Sequence, residues 1–144
     1  MTARIALLVV ALGVTACAAT TDSRSIDVSN ARIGEPAGVH AAAYMTLKSD
    51  ADDRLVAAAT DVAREVQLHV TATEDDGSVR MEPTGAIALP AGQEVVLEPG
   101  GTHLMLMDVE PLEAGDTVTL ELEFERFGTL PVTATVVELA EVFE

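Results

Sequence analysis

The chain has 144 residues, which is the length of a single domain. Hydrophobic residues make up 49% of it and aromatic residues only 3%, which favours a packed core and argues against an aromatic stacking surface for nucleic acid. Its 8 basic and 24 acidic residues give a formal charge of −16, which repels phosphate backbones and anionic lipid headgroups.

The N-terminal segment, residues 1–16, is predicted to be a lipoprotein signal peptide rather than part of the fold. An apolar run over residues 5–14 follows Arg4 and is too short to span a bilayer. The next residues lead to Cys17 in the pattern of a bacterial lipobox, so Cys17 is predicted to become the first mature residue and to carry lipid. Ordinary secretory cleavage after Ala18 is the alternative. In both cases the protein is expected to work outside the cytoplasm, in the periplasm or on the outer face of the cell membrane.

Cys17 is the only cysteine of the chain. An intramolecular disulfide, a CxxC redox pair and a Cys-rich zinc site are therefore excluded. If Cys17 is acylated, the protein is expected to touch the membrane through this lipid anchor only.

The rest of the chain divides into a polar tether at residues 17–25, one domain at residues 26–138 and a short acidic tail at residues 139–144. Within the domain, apolar and polar residues mostly alternate, which is typical of half-buried strands. The predicted strands are 25–33, 41–48, 54–58, 65–73, 78–82, 94–98, 102–109, 117–125 and 132–136. One turn of helix is a candidate at residues 60–64. Short strands with regularly spaced turns predict an all-β fold, an antiparallel sandwich or barrel.

The strand at residues 102–109 has two chemically different faces. Leu104 and Leu106 form the predicted core row, so His103, Met105 and Met107 are predicted to face outward.

The strand at residues 65–73 also has one apolar face and one outward face. Leu68 and Val70 are predicted to face the core, which places His69 on the outer row. A three-residue loop, 75–77, with Gly77 in the left-handed conformation would pair Thr71 with Met81 and set Met81 diagonally from His69.

The outward-facing residues of these neighbouring strands therefore include two imidazoles and two thioethers. Thioether sulfur is a soft ligand that selects Cu(I), whereas zinc sites use Cys, His and carboxylates. A blue-copper site requires a Cys thiolate in the fold, and Cys17 lies outside it. The pattern favours a Cu(I) site formed by His69, Met81, His103 and Met105.

The spacing of these four residues, His69-x11-Met81-x21-His103-x-Met105, resembles the copper-binding signature of the PCu(A)C family of periplasmic copper chaperones. The flanking residues 42–47, 89–92 and 98–107 are also similar to that family. The resemblance implies a cupredoxin-like, Greek-key β-sandwich with these four side chains as metal ligands. It implies that the cargo is copper, mainly Cu(I), with Cu(II) as a second candidate.

The same resemblance implies a function without catalysis: delivery of copper to assembly of a haem-copper respiratory oxidase. The expected acceptor is a Sco-type thioredoxin-like protein or an oxidase subunit. The sequence contains no Ser-His-Asp, Cys-His or His-Glu-x-x-His pattern, so an enzyme is not expected. The alternative function is a metal-free β-sandwich lipoprotein that acts as a protein-interaction module in the cell envelope.

The chain departs from the family pattern in two places. Val70 follows the first His, where many members carry Met, and residues 139–144 lack the His/Met-rich tail of some members. Two further candidate ligands remain. His40 is interpreted as a solvated loop residue with an auxiliary ligand as the alternative, and Met107 as a rim residue with a reserve thioether as the alternative.

Overall fold

The computed structural model describes residues 24–143. The predicted signal peptide, Cys17 and most of the predicted tether lie outside the described residues. Ten strands are present: β1 Ile26–Gly34, β2 His40–Ser49, β3 Asp53–Ala59, β4 Ala63–Thr73, β5 Val79–Pro83, β6 Ile87–Leu89, β7 Glu94–Leu97, β8 His103–Val109, β9 Thr117–Phe124 and β10 Gly128–Val137. A 3₁₀ helix, Leu139–Phe143, follows β10.

Seven of the strands close into a barrel, in the order β4-β8-β2-β1-β10-β9-β3, with β3 pairing back onto β4. Strands β5, β6 and β7 are additions that pair with β4, β3 and β2 respectively. The predicted all-β, cupredoxin-like β-sandwich is thereby confirmed. Its pairings are antiparallel except between β1 and β10, which run parallel over three residue pairs.

The core is filled by the inward rows that the alternation predicts. Most of these rows come from strands in which apolar residues recur at every second position, whereas Leu89 lies on the three-residue β6 and Ile33 follows an irregularity between Ser29 and Arg32 in β1. The fully buried aliphatic side chains include Ile33, Leu47, Leu55, Leu89, Leu104, Leu106, Leu120 and Leu122. Burial of this one face leaves the opposite face of each strand available for polar side chains.

One prediction from the sequence is wrong, and the structure adds two elements that the sequence pattern does not indicate. Residues 60–64 form no helical turn; a bend at residues 61–62 leads directly into β4. β6 was not predicted, because a three-residue strand is too short to produce a periodic pattern. Residues 139–143 form a 3₁₀ helix in which Val142 is buried, and a Cβ added at Gly34 would lie 3.0 Å from Val142, so this helix packs closely on β1. Within residues 24–143, no helix is long and apolar enough to cross a membrane.

Candidate metal centre

The site is formed where β4 and β8 run side by side. His69 on β4 and His103 on β8 are direct cross-strand partners. Their ring centroids lie 5.6 Å apart with an angle of 67° between the ring planes. Directly opposed residues of an antiparallel pair project from the same face of the sheet, so the register alone brings the two imidazoles together.

Both histidines lie on the face opposite Leu104, as predicted, but they are buried rather than solvated. His69 is 9% exposed and His103 is 2% exposed. Two neighbours contribute to this burial. The Tyr44 ring lies 6.3 Å from the His103 ring between centroids, and the loop between β7 and β8 is tied to β4, because the amide and hydroxyl of Thr71 both donate to the Gly101 carbonyl.

The His103 ring is fixed by a backbone group. Its Nδ1 lies 3.2 Å from the Gly101 carbonyl oxygen. A carbonyl oxygen can only accept, so Nδ1 carries the proton and Nε2 carries the free lone pair. Within residues 24–143, His103 Nε2 is buried and has no hydrogen-bond partner.

The His69 ring is fixed by a side chain. Its Nε2 lies 2.9 Å from Oε1 of Gln67, and Nε2 of Gln67 donates to Oε1 of Glu65 over 3.1 Å. With the Gln67 amide nitrogen directed at Glu65, its oxygen accepts from His69, so the free lone pair of His69 is on Nδ1. That Nδ1 atom is also buried and unpartnered among the described residues.

A buried lone pair without a hydrogen-bond donor costs about 1–3 kcal/mol. A metal ion bound by both nitrogens would use these two lone pairs and remove the cost of leaving them unpartnered. Burial, and secondarily the charge of His103, lower the pKa of His69, which favours the neutral form that binds metals. The hydrogen bonds and the burial therefore leave each imidazole with one free nitrogen lone pair, and burial favours the neutral form of His69.

The first thioether comes from the β4–β5 hairpin. Thr71 is the cross-strand partner of Met81, as predicted, which places Met81 diagonally from His69. The predicted three-residue loop is confirmed, since Gly77 has a φ of 81° and its amide donates to the Glu74 carbonyl. Met81 is 52% exposed.

The second thioether follows His103 on β8. Met105 is half-buried, points from the same face as His103 and is the cross-strand partner of Gln67. The four predicted ligands therefore share one face of β5, β4 and β8, with the imidazoles side by side and the thioethers diagonal to His69 on either side.

Gln67 is a hydrogen-bond partner of His69 that the sequence pattern does not indicate. Its only signal in the sequence is its position two residues before His69, on the same face of the strand. Within residues 24–143, no group of three or more His, Cys, Asp or Glu side chains is arranged to hold a metal ion.

The predicted core position of Val70 is wrong, because Val70 is 37% exposed. Val70 does lie on the same face of β4 as Leu68, as the alternation predicts. However, β8 ends its pairing with β4 at His69, and beyond that point β4 and β5 form a hairpin in which every residue of β5 is exposed.

The two further candidates lie in the same sheet. His40 is exposed, as predicted, but it is the first residue of β2 rather than part of a loop. It is the cross-strand partner of Met107, which is half-buried on the outer face of β8.

Comparison with known proteins agrees with this architecture. The family model described as "Putative lipoprotein LpqE-like" matches residues 26–136. A curated relative from Leifsonia xyli subsp. xyli, "Putative lipoprotein Lxx21020", is 33% identical over 137 residues, covering 87% of this chain and 82% of that protein.

Solved structures of copper-related domains are also similar. The copper-bound PCuAC domain from PmoF2 is 27% identical with a TM-score of 0.66, over 78% of this chain and 92% of that one. The solution structure of CuI-DR1885 from Deinococcus radiodurans is 35% identical with a TM-score of 0.56, over 81% of this chain and 78% of that one. The apo form of DR1885 is 29% identical with a TM-score of 0.61, over 96% of this chain and 99% of that one.

Proposed function

The chain belongs to the LpqE-like lipoprotein family, which is of the PCu(A)C type, and from this premise we propose that it is a copper chaperone of the cell envelope that carries Cu(I). The observation that carries the proposal is the pair of buried, unpartnered nitrogens, His69 Nδ1 and His103 Nε2. With Met81 and Met105 they supply two nitrogen and two sulfur donors. The similar domains from PmoF2 and DR1885 are described as copper-bound and Cu(I)-bound, which supports the same cargo here.

The donor set selects the metal. Thioether sulfur is soft and suits Cu(I), whereas Zn²⁺ is rarely bound by methionine. All four donors are uncharged, so the bound ion keeps its single positive charge. A neutral, partly buried site penalises a divalent ion more than a monovalent one, because the cost of removing an ion from water rises steeply with its charge.

The position of Met81 suits transfer rather than storage. The two imidazoles are buried, but Met81 stands half-exposed on the edge strand β5. An acceptor protein could replace this one thioether with its own ligand while His69 and His103 still hold the ion. The role is that of a carrier without catalytic chemistry.

The test is anaerobic titration of the purified chain with Cu(I) against a chromophoric Cu(I) chelator. We expect one equivalent to be retained, and we expect His69→Ala and His103→Ala to lose most of the affinity. His40→Ala is the matched control and should keep the first equivalent. If the wild-type chain retains no Cu(I), the copper function fails and the metal-free interaction module takes its place.

The destination and the anchor are finer parts of the proposal. We infer that the ion goes to assembly of a haem-copper respiratory oxidase, through a Sco-type thioredoxin-like protein or an oxidase subunit. We also infer that lipid on Cys17 holds the protein at the outer face of a membrane, as the lipoprotein relatives suggest. Cys17→Ser should release the mature domain from the membrane fraction, and a variant that is still acylated would refute the anchor.

Transfer is tested separately from binding. The Cu(I)-loaded chain is mixed with a purified Sco-type protein, and the distribution of copper is measured after the two are separated. Failure of transfer to this acceptor and to the copper-binding oxidase subunit would refute the destination and leave the copper-binding function intact.

A further inference from the structure

A second group of side chains of types that can bind metals lies on the outer face of the same sheet, outside the four-residue site. Met107 on β8 has His40 as its cross-strand partner on β2 and Glu65 as its cross-strand partner on β4. The three residues therefore form one row across three neighbouring strands. Adjacent strands are about 4.8 Å apart, and directly opposed side chains start about 5 Å from each other.

The alternation of each strand places all three side chains on the same face. Ala41, Leu106 and Leu68 point into the core, so residues an odd number of positions away from them point outward. His40 and Glu65 are exposed and Met107 is half-buried. The row is thus open to solvent, unlike the buried imidazole pair.

We propose that His40, Glu65 and Met107 bind a second copper ion, as Cu(II). Imidazole nitrogen and carboxylate oxygen are the donors that Cu(II) takes in its equatorial plane, and solvent water can complete that plane at an exposed site. The thioether of Met107 would be a weak additional ligand. The Glu65 carboxylate carries a negative charge that offsets part of the charge of a divalent ion.

The neighbouring charges leave this carboxylate available. The adjacent cation, Arg64, forms its ion pair with Asp108, and the charge of Glu65 acts on Arg64 only more weakly. One oxygen of Glu65 accepts from Gln67, and a carboxylate has a second oxygen with which it can bind a metal.

The same hydrogen bonds join the two sites. Glu65 would bind the second ion, and through Gln67 it is connected to His69 of the first site. Along β8, Met107 is two residues from Met105, a Cα separation of about 7 Å. Binding at the second site is proposed from its own ligands and does not depend on copper being bound at the first.

The experiment uses the tag-free chain, first saturated with one equivalent of Ag(I), a redox-inert substitute for Cu(I). Cu(II) is then added and followed by electron paramagnetic resonance. We expect one further equivalent to bind, with hyperfine splitting from one imidazole nitrogen. His40→Ala and Glu65→Gln should each weaken this binding at least tenfold, and Met107→Leu by a smaller factor.

Glu121→Gln, which removes one exposed negative charge on β9, is the matched control and should leave Cu(II) binding unchanged. The proposal is overturned if the Ag(I)-loaded chain binds no Cu(II), or if His40→Ala binds it as well as the wild type. The Ag(I) stoichiometry reports the first site by itself, so failure of the first site remains distinguishable from failure of the second.

Discussion

At the scale of single residues, the two imidazoles of the centre are held in opposite tautomers by two different kinds of acceptor. The acceptor for His103 is the Gly101 carbonyl, which every residue type provides. The acceptor for His69 is the Gln67 side chain, which an apolar residue such as Leu cannot replace. The tautomer of His69 therefore depends on which residue occupies position 67, whereas the tautomer of His103 depends on a backbone group.

Replacing Gln67 tests this positioning role. We expect Gln67→Leu to lower Cu(I) affinity by about tenfold, because groups that orient metal-binding histidines typically contribute 10–100-fold. In the apo chain, nitrogen chemical shifts of the His69 ring should change from one tautomer to a mixture. Gln93→Leu, a matched change in an exposed turn, should alter neither quantity. A pure His69 tautomer together with unchanged affinity in Gln67→Leu would contradict the role.

Met81 offers a second test, because it is a proposed ligand that contributes little to the core. We expect Met81→Leu to reduce Cu(I) affinity while the unfolding free energy of the apo chain stays within about 0.5 kcal/mol, since an exposed position tolerates such a change. Met45→Leu is the opposite control: Met45 is 2% exposed, so the same exchange should cost up to about 1.5 kcal/mol and leave affinity intact. The ligand assignment is wrong if Met81→Leu shows the pattern expected of Met45→Leu.

The sequence predicts correctly which face of a strand a side chain lies on, because alternation determines the face. It does not predict whether that face is buried, because burial depends on neighbouring elements of the tertiary structure. The face of His69, His103 and Met105 follows from period-two alternation, and the register of Met81 follows from the hairpin loop. Alternation does not show whether a strand face is covered by other elements, which is why it predicts a core position for Val70 although Val70 is exposed. The role of Gln67 was missed because a hydrogen bond between neighbouring side chains leaves no periodic pattern.

At the scale of elements, the β4–β5 hairpin sets the position of one proposed ligand through its turn. The Asp76 carboxylate accepts from the Ser78 amide over 2.9 Å, and hydrogen bonding to Ser78 lowers the pKa of Asp76. A lowered carboxyl pKa means that this contribution to stability is present above the ordinary range of about 3.9 and is lost as the pH falls through the lowered value. The turn is therefore expected to be fully formed at neutral pH.

Gly77→Val tests the turn without changing any proposed ligand. The φ of 81° at this position disfavours a β-branched residue by about 1–2 kcal/mol, although a Cβ there would meet no atom within 4 Å. We expect the hairpin register to loosen and Cu(I) affinity to fall. Gly85→Val is the matched control, because Gly85 also has open space but no positive φ. Equal affinities of the two variants would show that the turn does not position Met81.

The long strands could be predicted as elements because each carries several alternations, as in β9 with Val118, Leu120 and Leu122 on its inner face. The three-residue β6 and the 3₁₀ helix after β10 could not, because neither is long enough to establish a period. The parallel pairing of β1 with β10 depends on closure of the barrel, which no local pattern encodes.

At the scale of the whole molecule, the dominant property is the charge of −16. Like charges repel more strongly in a compact chain than in an expanded one, so this charge destabilises the fold. Raising the salt concentration from about 0.01 M to 1 M shortens the Debye length from about 30 Å to about 3 Å. We expect the melting temperature of the apo chain to rise over this range of NaCl.

A charge-reduced variant provides the control for the salt effect. Glu121, Glu123 and Glu125 are exposed and lie on the same outer side of β9 and its end. Changing all three to Gln should raise the melting temperature at low salt and flatten its dependence on NaCl. A wild-type melting temperature that is constant or falls with NaCl would mean that self-repulsion is not a significant term.

The three-pair ladder between β1 and β10 joins the beginning of the domain to its end, through residues 32–34 and 135–137. During synthesis β1 emerges first, and it has to wait for the last strand before the barrel can close. Until β10 is made, β1 and β9 each lack the partner on one edge, and an unpaired edge is a template for pairing with other chains. Closure, and with it a stable support for the face that carries the proposed ligands, therefore requires β10, and a product truncated before β10 is expected to aggregate rather than to carry metal.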